Sequence, residues 1–394
     1  MNLKDLIQKE LVSFTDEQDG FRKFPRAKFA FSRERAEEFS RVSIETILDD
    51  KYFLGLKWNG NQGLYPALKD VLIELYEERK KRIITTFIFT GGIGLGKSVV
   101  SNIITYIELF QLIIMPDHCS YYGLTSGTNV CFIMLSRDEN KAKRVTFRKF
   151  LPIIYNSKVF QDYFPPQIDM EKMSDNPRTF PSDLRFPKGL VVFPGTGHAA
   201  SILGFDVFGA TVDEANDLQV VEHSKKNVIK SEYDAAGEAY NEILGRMDSR
   251  FPYESLHRQG KKHGICCLIG QTRGPDSFLE RKIREAEMLG DASHIFYVRK
   301  ARWESQPRER FSKEEFIFDI TQGRIVEFIS KEERDLSENK CEICNTLLKH
   351  GAYIGNNGKL VCCLDCYEET FFGKSEIVKE KSSGLRKRIR RIGI

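Results

Sequence analysis

The most regular pattern in this chain is the alternation of short apolar, β-branched runs with longer helical patterns between about residues 81 and 300. Residues 84–90 form the first run, and from 97 to about 114 apolar positions recur at helical spacing. Further runs at 130–135, 189–193, 206–212, 264–269 and 294–299 predict strands, and 136–155, rich in Lys and Arg, reads as a helix. Strands alternating with helices imply a mainly parallel sheet covered on both faces. Before this region, 34–49 and 66–82 carry helical patterns, with a turn at Gly60-Asn61-Gln62-Gly63. Residues 164–187 are rich in Pro, Asp and Arg and read as a surface excursion. After 300 the alternation fades, leaving a strand-like piece at 324–329, a Cys-rich unit and a basic end. The expected organisation is a helical region (1–80), an α/β core (81–300), a linking segment (301–337), a Cys-rich module (338–372) and a basic tail (373–394).

Composition adds location and charge. The 394 residues are 41% apolar and 29% charged, as in globular proteins. No apolar run approaches the roughly 18 residues of a spanning helix, and the start, MNLKDLIQKE, lacks the apolar stretch of a secretion signal. The expectation is a cytoplasmic protein without a membrane partner. The net charge is +4, yet residues 374–394 hold eight Lys/Arg against two Glu, so this tail carries +6 and the rest −2. Attraction to nucleic acid would therefore be local; the tail either grips phosphates or is a solvated terminus.

Between the first strand and its helix the sequence reads Gly91-Gly92-Ile93-Gly94-Leu95-Gly96-Lys97-Ser98. This is a Walker A phosphate loop in the strand-to-helix setting that the motif requires. Gly91, Gly92, Gly94 and Gly96 let backbone N–H groups close around phosphates, Lys97 reaches the β/γ-phosphates of ATP, and Ser98 is a Mg²⁺ ligand.

Binding becomes hydrolysis only with an acid that positions metal and a group that activates water. Residues 207–216, VFGATVDEAN, supply both, because an apolar strand ends in Asp213-Glu214, at the sheet edge where α/β ligands bind. Asp213 would hold Mg²⁺ and Glu214 would act as general base. An Asp-Glu pair could also simply cap the next helix; the phosphate loop upstream favours the catalytic reading. Gln271 and Thr272, ending a later strand, are candidates for sensing the γ-phosphate, although a strand-to-helix turn uses the same residue types. An arginine finger is sought among Arg137, Arg144 and Arg148, with Arg137 first because it lies closest to a strand end; a basic face touching solvent or DNA is the alternative for each.

Five of the nine cysteines fall within 341–366. Cys341-x2-Cys344 and Cys363-x2-Cys366 have the spacing of a closed, structural Zn²⁺ site, with Cys362 able to replace Cys363. Cys119, Cys131, Cys266 and Cys267 lack metal spacing and read as core or surface thiols.

The ordered set TGGIGLGKSVVS, NVCFIMLSRDENKAKRVTF, FPGTGHAASILGFDVFGATVDEAND, IGQTRGPDSFLERKI and VRKARWESQPRERFSKEEFIFD resembles the ATPase domain of the large terminase subunit of tailed bacteriophages, over about residues 50–320. The resemblance implies an α/β additional-strand P-loop NTPase, its mainly parallel sheet flanked by helices, to which the Cys residues add a small C-terminal zinc-binding module. It implies ATP hydrolysis coupled to translocation of double-stranded DNA, with Lys97 and Ser98 in the phosphate loop, Asp213 at the metal, Glu214 as base, Gln271 and Thr272 coupling, and Arg137 acting in trans. The implied partners are the portal protein of a procapsid, a small terminase subunit and other copies in a homo-oligomeric ring, in the host cytoplasm. Large terminases usually continue into a nuclease domain, but only 94 residues follow position 300 here and no strand-borne acidic triad is visible. Cleavage is therefore expected of a separate nuclease chain, if any. Two competitors are another P-loop DNA-dependent ATPase, such as a helicase or a repair or defence enzyme, and a zinc-dependent DNA-binding adaptor that uses nucleotide as a switch. A helicase should show a second set of nucleotide motifs, and the chain has one.

Overall fold

A computed structural model describes residues 27–54, 64–137, 142–167, 183–196, 204–218, 220–221, 233–274 and 276–310, together with strand segments at 315–319, 324–329, 353–354, 360–361 and 388–390. The chain divides into two compact units, Met1–Ser305 and Gln306–Ile394.

The first unit is built on a seven-stranded sheet. Its strands are β1 (Thr86–Gly91), β2 (Val130–Ser136), β3 (Leu184–Phe186), β4 (Leu190–Thr196), β5 (Asp206–Val212), β8 (Ile265–Gln271) and β9 (Ile295–Lys300); β6 (Val220–Val221) and β7 (Tyr233–Asp234) form a separate two-stranded pair. The order across the sheet is β3-β4-β2-β5-β8-β1-β9. All pairings from β4 to β9 are parallel, and only β3 runs antiparallel to its neighbour. Each strand expected between 84 and 299 is present within one to three residues. In particular, β8 lies between β1, which precedes the phosphate loop, and β5, which Asp213 directly follows, the additional-strand arrangement that the resemblance implied.

Alternate residues of each strand serve opposite faces, the period that a pleated strand imposes. Phe87 and Phe89 of β1 and Phe132 and Met134 of β2 join one apolar cluster, whereas Ile88, Ile133 and Leu135 join the other. The first cluster takes α3 (Pro66–Lys81), α4 (Lys97–Ile113) and α6 (Arg148–Asn156); α1 (Arg33–Ser40), α2 (Ile44–Asp49) and α7 (Lys158–Tyr163) also contribute to it. The second takes α8 (Ala235–Arg250) and α10 (Phe278–Leu289). Two short helices, α5 (His118–Tyr122) and α9 (Tyr253–Arg258), lie in the connections. The helices before β1 thus share the apolar core of the sheet. Their N-termini follow local rules: Ser32 and Ser43 accept backbone N–H groups of α1 and α2, and Pro66 opens α3, where its missing N–H is harmless.

One expected helix is different. Residues 136–155 begin as the last residue of β2, and the helical part is a π-helical turn, Ala142–Phe147, running into α6. A single wide turn of this kind inserts a residue into the helical register and is a frequent companion of functional sites. The expected excursion 164–187 includes β3, whose antiparallel pairing with β4 extends the sheet.

A buried ion pair joins α3 to α4. Glu108 on α4 accepts hydrogen bonds from Tyr76 and Arg79 of α3, and Arg79 also donates to the carbonyl of His263, just before β8. The Arg79 and Glu108 side chains are only 9% and 2% exposed. Each charge is balanced by its partner and by the extra hydrogen bonds.

In the second unit, β10 (Glu315–Asp319) pairs antiparallel with both β11 (Arg324–Ile329) and β14 (Arg388–Arg390), and β12 (Tyr353–Ile354) pairs with β13 (Leu360–Val361). The strand expected at 324–329 is β11, and part of the basic tail is a strand. The zinc candidates Cys341, Cys344, Cys363 and Cys366, with Cys362, lie outside the described residues. Among the described residues no cluster of three or more His, Cys, Asp or Glu could hold a metal ion, and no helix is long and apolar enough to cross a membrane.

Candidate active site

The carboxyl ends of β2, β5, β8 and β1 lie on one edge of the sheet, because the strands are parallel and neighbours in register. There the chain leaves β1 at Gly91, turns through 92–96 and enters α4 at Lys97. Gly94 and Gly96 have φ of 76° and 93°, a region that disfavours side chains. A Cβ on Gly91 would stand 2.2 Å from the carbonyl oxygen of Lys300. The loop therefore needs glycine for its turns and for close approach to β9. No side chain caps the N-terminus of α4, and such an end is suited to an anion.

Lys97 folds back over this loop, its Nζ donating to the carbonyls of Gly91 (3.0 Å) and Gly92 (2.7 Å). Burial lowers its proton affinity, and the attraction of Asp213 opposes that shift. The ammonium thus sits among oxygens at the point where phosphates would be cradled.

Asp213 follows β5 directly and is 7% exposed. Its backbone N–H donates to Leu135 of β2 at 2.8 Å, which continues the sheet pairing one residue beyond the strand. Its Oδ1 accepts the N–H of Glu214 at 2.9 Å, and its Oδ2 accepts two hydroxyls, Ser98 at 3.3 Å and Thr146 at 2.8 Å. Ser98 and Asp213 are thereby brought together, as their residue types suggested. A hydroxyl beside a carboxylate is a set of hard oxygen donors, and such donors suit Mg²⁺; the residues fit the metal that a nucleotide brings.

Glu214 has φ 54° and ψ 41°, a left-handed conformation uncommon for a residue with a side chain. Such strain collects where the surrounding structure over-determines a functional turn. Immediately after it, Asn216 bridges two elements: its Nδ2 donates to the carbonyl of Gln271 at 2.8 Å, and its Oδ1 accepts the N–H of Leu279 in α10 at 2.9 Å. Thr272 faces Thr90 of β1 hydroxyl to hydroxyl at 3.2 Å, and Arg273 pairs with Asp217 at 2.8 Å. Gln271 and Thr272 thus stand between the phosphate-loop strand and the turn bearing Glu214.

Arg137 is exposed and directly follows β2. Arg148 is exposed in α6, and Arg144 belongs to the π-helical turn. Cys119, Cys131, Cys266 and Cys267 are free and buried. Burial raises the thiol of Cys131 to about 12 and pushes those of Cys266 and Cys267 in strand β8 well above the ordinary thiol range, so these three are inert core residues.

With this geometry in place, a family model described as the N-terminal P-loop domain of uncharacterized protein MJ0330 matches residues 10–325. The chain belongs to that family. A P-loop domain implies use of nucleotide with Mg²⁺, in agreement with the loop and donor set above. No curated protein matches the chain. Among solved structures, the chain is similar to the large terminase of a thermophilic bacteriophage, at 11% identity over 60% of this chain and 46% of that one, with a TM-score of 0.38. It is also similar to the large terminase of bacteriophage HK97, at 14% identity over 64% and 43%, with a TM-score of 0.39. The chain spans less than half the length of either structure.

Sequence reasoning did not find Thr146 and Asn216. Thr146 lies in a Lys/Arg-rich stretch whose charges draw attention away from it, and its link to Asp213 bridges 67 positions. Asn216 had a weak signal, being a polar residue two places after Glu214 in a turn.

Proposed function

We propose that this chain is a Mg²⁺-dependent ATP hydrolase of the terminase type that drives movement of double-stranded DNA. The observation that carries the hydrolysis reading is the convergence of Ser98 on Asp213 at 3.3 Å, beside a left-handed Glu214 at the edge of an additional-strand sheet. The loop N–H groups and Lys97 bind the β/γ-phosphates, and Ser98 and Asp213 hold the Mg²⁺. When bound, the ion neutralises charge on the phosphate oxygens. Glu214 orients water for in-line attack and takes its proton, so that the products are ADP and phosphate. Gln271 and Thr272 pass the change at the γ-phosphate into β8, and Arg137 serves the site of a neighbouring copy.

The DNA-packaging part of the reading rests on the ordered motifs that resemble large terminase ATPase domains. On that basis the partners are double-stranded DNA, a portal and procapsid, a small terminase subunit and further copies in a ring, within the host cytoplasm. The four-cysteine module is read as a structural Zn²⁺ site, the pair β12–β13 lying between its two Cys-x2-Cys pairs in sequence.

The decisive experiment measures ATP hydrolysis by the full chain with and without double-stranded DNA, and then ATP-dependent DNA uptake by procapsids. DNA-stimulated turnover and uptake, both lost in Glu214→Gln, are expected. Nucleotide binding without turnover would instead establish a switch, and DNA-stimulated turnover without uptake would establish a different P-loop motor.

A further inference from the structure

Asp213 Oδ2 accepts from two hydroxyls, and the shorter contact is not the one from the phosphate loop. Thr146 Oγ1 stands at 2.8 Å and Ser98 Oγ at 3.3 Å. Thr146 is fully buried, in the π-helical turn Ala142–Phe147. Its own carbonyl accepts a hydrogen bond at 3.2 Å from Nδ2 of Asn102, which lies in α4, the helix opened by Lys97 and Ser98. Thr146 is therefore fixed at both ends: its backbone to the phosphate-loop helix, its side chain to the acid at the end of β5. The wide turn allows this, because it shifts the register of the following helix relative to an α-helical continuation.

We infer that Thr146 is a positioning residue that fixes the carboxylate of Asp213 for divalent-cation binding, and that the π-helical turn exists to carry it there. This rests on the reading of Asp213 as a metal-holding residue. A carboxylate that can rotate about its last bond spends only part of its time aimed at a cation; the Glu214 N–H holds Oδ1 at 2.9 Å, and the buried Thr146 hydroxyl on Oδ2 fixes the other end of the group. Donors to ligating carboxylates act in this way at metal sites generally, and their loss lowers metal affinity by about 10- to 100-fold. Ser98 cannot substitute, because its oxygen is itself a candidate ligand. Thr146 is a donor with no competing task at the site.

The test is binding of a fluorescent ATP analogue to the full chain, titrated with Mg²⁺ and repeated in EDTA, for wild type, Thr146→Val, Thr146→Ala and Thr146→Ser. Removing the hydroxyl in the Val or Ala variant should raise the Mg²⁺ concentration at half effect by about tenfold or more. Binding in EDTA should be unchanged, and Thr146→Ser should restore the wild-type curve. Thermal melting of each variant separates this from loss of fold, which would weaken binding with and without metal alike; the Ala variant stands in if Val is poorly accommodated. A folded Val or Ala variant with the wild-type Mg²⁺ dependence overturns the inference. Failure of the underlying reading has a separate signature: wild-type binding insensitive to Mg²⁺, or Asp213→Asn leaving that dependence unmoved.

Discussion

Asn216 and Gln271, 55 positions apart, are joined by a 2.8 Å hydrogen bond from a side-chain amide to a backbone carbonyl. Because the same amide group accepts the N–H of Leu279, the turn after β5, the end of β8 and the start of α10 meet on one side chain. Asn216→Ala removes both bonds and leaves a partly buried N–H and carbonyl to find other partners. It should lower stability by about 1–3 kcal/mol and, by loosening the turn that holds Glu214, reduce ATP turnover up to about 100-fold with little change in nucleotide affinity. Steady-state kinetics beside equilibrium binding checks this; equal losses in affinity and turnover would point to the phosphate loop instead.

Glu214→Gln keeps the size of the side chain and its hydrogen-bonding reach but cannot take a proton. ATP turnover should fall by about 10²- to 10⁴-fold with nucleotide binding retained. Turnover surviving within a few-fold would mean that another group activates the water.

The buried Arg79–Glu108 pair sets up a double-mutant test of stability. Arg79→Met alone removes the guanidinium paired with the Glu108 carboxylate, leaving the Tyr76 hydrogen bond, and should destabilise the fold by about 3–5 kcal/mol. Adding Glu108→Leu should recover much of that loss, since an apolar pair of similar volume no longer buries a charge. Additive losses in chemical denaturation would refute the coupling.

His263 makes stability depend on pH. Burial, reinforced by the Arg79 charge, lowers its pKa from 6.5 to about 3. Between these values the unfolded chain takes up a proton that the folded chain refuses. The contribution of neutral His263 is therefore complete above 6.5 and declines as pH falls towards 3, by about 1.4 kcal/mol per pH unit. Comparing denaturant midpoints at pH 7 and pH 5 for wild type and His263→Gln isolates the effect, because the carboxylates are common to both; parallel pH profiles would assign the slope elsewhere.

Elemental analysis of the purified full chain should find about one Zn²⁺ per molecule, and Cys341→Ser or Cys366→Ser should lower it, as a four-thiolate site requires. Metal-free protein that is fully folded in both units would rule the site out.

The sheet was legible because parallel strands buried on both sides are nearly continuous apolar runs, and β1, β2, β5, β8 and β9 were expected almost residue for residue. The meeting of Ser98 with Asp213 was legible because each is tied to a local pattern, a glycine loop before a helix and an acid after an apolar strand. What escaped depends on three dimensions. The π-helical turn has no periodicity distinguishing it from an α-helix over six residues, and the short antiparallel strand β3 is hidden in a polar stretch. Thr146 and Asn216 act through side-chain contacts with residues remote in sequence, which composition and spacing do not encode.

Gly96, where the phosphate loop becomes α4, also sits under Leu68 of α3: a Cβ there would lie 2.7 Å from a Leu68 methyl carbon. The loop is therefore roofed by a helix that precedes the first strand of the sheet. For dissection of the protein by expression of fragments, this sets a boundary. A fragment beginning at β1 would keep every nucleotide motif and still leave one wall of the loop open, with Phe87, Phe89 and the buried face of α4 exposed to water, so the smallest autonomous nucleotide-binding unit must begin upstream of Pro66.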